Sequence, residues 1–225
     1  MKAVVAFDLD DTLYKEVDFV YSAYAAVADK LKCYGCDKDE VYETMQYAFE
    51  SKSNPIDTVI KRFNQPLSES ELVELYRKHK PEISLSGNVR NMLSRLKGLG
   101  FDLALITDGR FVTQYNKVRA LGLTEYFSER AILISEVTGC DKTVPDNFLR
   151  VQRMYGNAGK FFYIGDNPAK DFLQPNLLGW VTICVKDDGR NIHSQSVRVP
   201  DSSLPRYIVN DISEIPQLVM EFIKN

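Results

Sequence analysis

The feature that most constrains this chain is the passage from Ala3-Val4-Val5-Ala6 into Phe7-Asp8-Leu9-Asp10-Asp11-Thr12-Leu13. A short apolar, β-rich run bounded by polar residues reads as a buried strand. This one ends on three carboxylates and a hydroxyl within five residues. If the backbone stays extended, Asp8 and Asp10 point to one side and Asp11 to the other. Two carboxylates about 4 Å apart repel by about 4 kcal/mol at an effective dielectric of about 20. Such a pair calls for a cation between its members or a proton on one of them. Either state is chemically useful. A metal-held carboxylate can act as a nucleophile, and a protonated neighbour can serve a leaving group. A solvated acidic turn or a helix cap is the other use of such residues.

Size and composition narrow the setting. At 225 residues the chain has room for one large domain or a core with a smaller companion. The net charge is -3 and the basic residues are scattered, so nucleic acid is not expected as a partner. No apolar run approaches the roughly 20 residues that a bilayer span needs, so no membrane is expected either. The N-terminal strand runs directly into acids, unlike a secretory signal, which makes the cytoplasm the expected location. Cys33 and Cys36 form a CxxC, whereas Cys140 and Cys184 are isolated, and His79 and His193 lack ligand spacing. The four cysteines read as reduced and structural.

Beyond Thr12 the pattern turns helical. Apolar residues recur at helical spacing from Val17 to Cys33. A helix over 37–50 is expected with Asp37 as cap and Glu40 closing a capping box, and a shorter one near 56–63. Another, over 68–79, opens on Ser68 with Glu71 three residues later. From Ser86 onward strands and helices alternate: helix 88–99, strand 101–106, helix 111–121, strand 131–134, helix 146–155, strand 161–164, helix 168–178, strand 180–185, strand 207–209 and helix 211–223. Pro175 is expected to kink or shorten the helix over 168–178. Alternation of this kind predicts an α/β fold, a Rossmann-like parallel sheet with helices on both faces. An all-helical insertion over 15–83 would separate its two parts, 1–14 and 84–225. In such sheets ligands bind beyond the carboxyl ends of the strands. Those ends carry Asp8, Asp10 and Thr12; then Thr107, Asp108, Gly109 and Arg110; then Asp141 and Lys142; then Gly165, Asp166, Asn167 and Asp171. No GxxxxGK[ST] loop or Gly-rich dinucleotide fingerprint is present.

With these segments the chain resembles the haloacid dehalogenase-like (HAD) hydrolase superfamily, along nearly its whole length. Phe7-Asp8-Leu9-Asp10-Asp11-Thr12 is similar to the family's DxDxT motif, Ile106-Thr107-Asp108-Gly109 to its second, and Gly165-Asp166-Asn167-Pro168-Ala169-Lys170-Asp171 to its GDxxxxD motif. The third motif departs: Lys142-Thr143-Val144-Pro145 keeps the lysine and second proline of Lys-Pro-Asp-Pro but not the Pro-Asp between them. Lys142 is assigned as the motif lysine, with Lys160 or Lys170 as substitutes. The helical insertion resembles the family's α-helical cap domain.

The resemblance implies a Mg²⁺-dependent phosphatase that forms an aspartyl-phosphate on Asp8. Asp10 would be its general acid and base. Mg²⁺ would sit on the carboxylates of Asp8 and Asp166 and the backbone carbonyl of Asp10. Thr107, Asp108, Gly109 and Lys142 would bind the substrate, the backbone N–H groups after Thr107 helping. Asp171 would orient Lys142 or a water, and Thr12 would fix the loop. Retention of Asp10 favours phosphoester hydrolysis over dehalogenation. The expected partner is a small phosphorylated metabolite, with oligomeric state unknown. A hexose-phosphate mutase, a phosphoryl-accepting module and a binding protein without turnover are the alternatives. Tyr14, Tyr21, Tyr24, Tyr47 and Arg62 are candidate pocket walls, although aromatic residues at this spacing more often form core.

Overall fold

The computed structural model describes residues 2–224. Contacts divide the chain into two compact units. One runs to Glu16 and resumes at Ser84; the other is Val17–Ile83. The first junction lies two residues beyond the predicted one.

The larger unit is built on six parallel strands: β1 Ala3–Phe7, β2 Asp102–Thr107, β3 Ile132–Ile134, β4 Lys160–Gly165, β5 Val181–Val185 and β6 Tyr207–Val209. Their order is β3-β2-β1-β4-β5-β6, so the chain leaves β1 in one direction and later returns to its other side. Every residue of β1 is buried, which is why it reads as an unbroken apolar run rather than an alternating one. Val4, Ala6, Ala104, Ile106, Tyr163 and Cys184 share a core with Phe148, Val151 and Trp180. The strand residues between them point to the opposite face, as a period of two demands.

Ten α-helices lie among the described residues, with four single-turn 3-10 helices in the connections. The α-helices are α1 Glu16–Lys32, α2 Lys38–Glu50, α3 Pro55–Arg62, α4 Glu69–Lys78, α5 Gly87–Gly98, α6 Phe111–Ala120, α7 Ser135–Thr138, α8 Asp146–Met154, α9 Leu173–Leu177 and α10 Ile215–Lys224. In the helical unit the Ser68–Glu71 capping box forms with both bonds present. Asp37 caps α2 through the Glu40 N–H, but the Glu40 carboxylate pairs with Arg62 at 2.7 Å. The predicted box at Asp37 is therefore half formed, the guanidinium taking the acid that would have closed it. Asn54 caps α3 ahead of Pro55, where a missing N–H costs nothing.

The expected helix over 168–178 is corrected to the five residues of α9. Upstream, Asn167 Oδ1 accepts the Ala169 N–H, and Asp171 accepts the N–H groups of Asp166 and Asn167. These side-chain bonds hold a turn where a helix was expected. Pro175 causes no kink, because it stands in the first turn of α9, where N–H groups have no intrahelical partner.

Candidate active site

The strand ends of the larger unit place six of the predicted site residues around one small cleft of about 120 Å³, while Thr12, Gly109 and Asp171 do not line it. It is lined by Asp8, Asp10, Thr107, Asp108, Lys142 and Asp166, with Asp11, Glu16, Asn167, Lys170 and His193. Asp8 continues the β1 ladder, its N–H donating to the Ile164 carbonyl at 2.8 Å. The sheet thus fixes where its side chain points. Its Oδ1 lies 2.8 Å from Lys142 Nζ, and the same ammonium lies 2.7 Å from Asp171 Oδ1. Lys142 is buried and reaches the cleft despite the altered residues around it. Lys160 begins β4, at the opposite end of that strand from Gly165, and Lys170 is an exposed residue at the cleft wall.

Asp8 and Asp10 do not share a cation. Asp10 has its own ammonium, Lys117 Nζ at 2.7 Å from Oδ1. Tyr14 donates to Oδ1 at 2.5 Å and Gln114 to Oδ2 at 2.8 Å. The predicted extended path ends at Asp11, whose φ of 55° is left-handed. Its carboxylate accepts the N–H groups of Glu16 and Ile192, each at 2.9 Å. Asp11 therefore braces the loop. Thr12 does the same, donating to Asp166 Oδ1 at 3.4 Å.

The predicted substrate contacts at the end of β2 each have a partner within the protein. Thr107 ends β2, buried, and accepts a 2.6 Å hydrogen bond from Gln114. The Asp108 carboxylate lines the cleft but accepts the Lys142 N–H at 3.1 Å, which fastens the lysine loop. The Gly109 N–H, expected to face substrate, donates to Ser135 Oγ at 2.9 Å. Gly109 has a φ of 143°, and a Cβ there would stand 3.1 Å from the Gln114 side chain. Its place is therefore set by loop geometry.

At the fourth strand end Asp171 is fully engaged. Oδ1 faces Lys142 at 2.7 Å, and Oδ2 accepts the N–H groups of Asp166 and Asn167 at 3.1 and 2.8 Å. A Cβ at Gly165 would fall 2.5 Å from that Oδ2, so only glycine fits. Oxygens of Asp8, Asp166 and Asp171 lie within 4.8 Å of one another. Asp171 spends both oxygens on Lys142 and the backbone, whereas Asp8 and Asp166 line the cleft.

Charge in this cleft is poorly compensated. Burial, and then repulsion from Asp8 and Asp171, pushes Asp166 up to about 9. Burial pushes Asp8 up to about 8 against the opposing pull of Lys142. Burial and the Asp10 charge push Glu16 up to about 7. For Asp10 burial acts upward, but the Lys117 charge and three hydrogen-bonding side chains outweigh it and hold the carboxyl low. Lys142 is raised well above its ordinary value, Asp171 and Asp8 overcoming the effect of burial. Two buried hard-oxygen donors that are costly to ionise in the protein alone fit a hard divalent cation such as Mg²⁺.

Sequence reasoning missed several contributors. Gln114 and Lys117 stand three residues apart on α6 and share a face. No sequence signal marks them, because what sets them apart is burial on a helix that leaves a strand end. Asn191 donates to Asp166 Oδ2 at 3.0 Å and accepts from Lys15 Nζ at 2.7 Å. It lies in an irregular loop after β5 that carries no periodic signal. Of the candidate walls, Tyr14 is at the site. Tyr21 and Tyr24 pack on Phe49 in the helical unit, Tyr47 is exposed, and Arg62 is paired with Glu40. The CxxC cysteines are free, Cys33 exposed and Cys36 half-buried.

A six-stranded parallel sheet whose strand ends gather carboxylates around a buried ammonium is an α/β fold with an acidic cleft along its carboxyl edge. Residues 5–183 match the haloacid dehalogenase-like hydrolase family, and the chain belongs to it. It is 27% identical to the glyceraldehyde 3-phosphate phosphatase of Methanocaldococcus jannaschii, over 98% of each chain. It is 24% identical to the ribulose-1,5-bisphosphate 5-phosphatase of Halopiger xanaduensis, over 97% of this chain and all of that one. Its fold is similar to that of the magnesium-bound HAD-hydrolase YfnB from Bacillus subtilis. The TM-score is 0.68 at 20% identity, covering 96% of this chain and 97% of the other. Among the described residues no helix is long and apolar enough to cross a membrane.

Proposed function

We propose that this hydrolase is a Mg²⁺-dependent phosphatase acting on a small phosphorylated sugar through an aspartyl-phosphate on Asp8. One observation carries it. The Lys142 ammonium stands between Asp8 and Asp171, at 2.8 and 2.7 Å, in a cleft that Thr107 and Asp166 also line. That arrangement supplies a nucleophile, a phosphate-binding cation and a hydroxyl together. The names of the relatives support the substrate class.

Asp8 and Asp166 would hold Mg²⁺ by carboxylate oxygens, and Asp10 by its backbone carbonyl. When bound, the ion neutralises the phosphate charge that would otherwise keep the dianion from Asp8. Asp8 attacks phosphorus, the bond to the sugar oxygen breaks, and Asp10, which first takes up a proton because its neighbours hold it as the anion, delivers that proton to the oxygen. Water then attacks the aspartyl-phosphate, its proton passes to Asp10, and phosphate leaves with the Asp8 carboxylate restored. Thr107 and Lys142 meet the phosphate oxygens where charge gathers. In this reading the helical unit is the family's cap.

The test is hydrolysis of p-nitrophenyl phosphate and of a panel of triose to hexose phosphates, with and without Mg²⁺. Metal-dependent release of phosphate that disappears in Asp8→Asn is expected. Metal-independent turnover, or an active Asp8→Asn, contradicts the proposal. A sugar phosphate isomerised without phosphate release would mark a mutase instead.

A further inference from the structure

We propose that Lys117 and Gln114, with Tyr14, form a cradle that positions the Asp10 carboxyl for proton transfer to the leaving oxygen. The proposal rests on the phosphatase reading above and deepens it. Three donors converge on one carboxylate: Lys117 at 2.7 Å and Tyr14 at 2.5 Å on Oδ1, Gln114 at 2.8 Å on Oδ2. Lys117 and Gln114 are each 2% exposed, so both are committed to this task and closed to solvent. Lys117 also lies 3.5 Å from Glu16, which keeps the ammonium from turning away.

Gln114 does a second thing. Its amide nitrogen has two hydrogens; one goes to Asp10 Oδ2 and the other, at 2.6 Å, to Thr107 Oγ1. A hydroxyl that accepts from Gln114 directs its own single proton elsewhere. Thr107 is thereby set to donate to a phosphate oxygen. One glutamine thus ties the group that serves the leaving oxygen to the group that holds the phosphoryl oxygens. Lys117 is bonded to the first of these, and Gln114 to both.

The two side chains therefore predict different defects. When Asp10 gives its proton to the leaving oxygen it becomes an anion, and Lys117 holds that anion in place. Esters of poorly leaving alcohols need the proton, whereas esters of acidic phenols do not. General acid catalysis is worth about 10²–10⁴-fold. In Lys117→Met, the single-turnover rate of Asp8 phosphorylation falls by about 10–100-fold for an alkyl phosphate. That is part of the general-acid effect; for 2,4-dinitrophenyl phosphate, whose leaving group needs no proton, the rate falls by less than about threefold, with KM little changed. Lys117→Arg recovers much of the alkyl-ester rate. Gln114→Leu slows both esters, since Thr107 acts on phosphate whatever the alcohol. A carboxyl ¹³C spectrum of aspartate-labelled protein, with Asp10 assigned through Asp10→Asn, reads the contact without turnover. The Asp10 signal is expected to move in Lys117→Met while the melting curve keeps its cooperative shape. Equal losses on both esters, or an unmoved Asp10 signal, overturn the cradle. A wild-type protein without phosphatase activity whose Asp10 signal still responds to Lys117→Met overturns the phosphatase reading, and with it the catalytic part of the proposal, leaving the contact itself intact.

Discussion

Lys142→Met is the substitution whose effect follows most directly from the structure. The ammonium bridges Asp8 Oδ1 and Asp171 Oδ1 at 2.8 and 2.7 Å, and all three side chains are buried. Methionine fills similar space but carries no charge, so two carboxylates are left facing each other in a desolvated cleft. Removing one partner of a buried ion pair costs about 3–5 kcal/mol. For a chain of this length each kcal/mol moves Tm by about 2–4 °C, so the variant should melt roughly 6–20 °C lower. The loss should grow at alkaline pH. Asp8 is already raised to about 8 with the lysine present, and removing the lysine raises it further. A carboxyl whose folded pKa exceeds its unfolded value holds more protons when folded, so its contribution to stability falls as pH rises between the two values. Below about pH 8 both folded proteins keep a protonated Asp8 and the gap stays level; above about pH 8 only the variant keeps losing stability to this group, so the gap should open between pH 8 and pH 9. Differential scanning calorimetry of the metal-free proteins from pH 6 to pH 9 is the assay. A Tm shift under about 2 °C, or a gap that narrows with pH, would refute the placement of Lys142 as the charge that holds the cleft together.

Three other consequences follow. Asp8 and Asp166, raised to about 8 and about 9, must lose protons to bind a cation; calorimetric Mg²⁺ affinity should therefore rise from pH 6 to pH 9 with proton release, and a flat profile would exclude these ligands. Gly165→Ala puts a methyl 2.5 Å from Asp171 Oδ2 and should displace that carboxylate, lowering both Tm and Mg²⁺ affinity; an unchanged melting curve would show that Asp171 yields freely. Asn191→Leu removes the 3.0 Å donor on Asp166 and should weaken Mg²⁺ binding by about 10–100-fold in titration calorimetry, whereas full affinity would mean that the loop after β5 does not orient the ligand.

What could be read in advance depended on how locally each feature is encoded. β1 declares itself by an unbroken apolar run, and the acids after each strand declare the cleft, because a parallel sheet puts every such end on one edge. Lys142 was legible through its spacing from Pro145, even with two intervening residues changed. Two partners of Asp10, Gln114 and Lys117, were not, because both lie more than a hundred positions away and Lys117 looks in sequence like any surface lysine of an amphipathic helix. Burial makes it a site residue, and burial is decided by tertiary packing. Asn191 failed for another reason: its loop has no period, and its position comes from pairing with Lys15 and Asp166. The span after Gly165 misled in the opposite sense. Its composition suits a helix, but the Asn167 and Asp171 side chains take up the backbone donors first.

The central claim is that the first carboxylate after β1 captures phosphorus. It is tested most directly by quenching the enzyme in acid during turnover of a phosphomonoester, reducing any acyl-phosphate with borohydride, and mapping the altered residue by mass spectrometry. Reduction confined to Asp8, and absent without Mg²⁺, is the predicted result. Undiminished turnover with no modified Asp8, or label on a different side chain, would contradict the account.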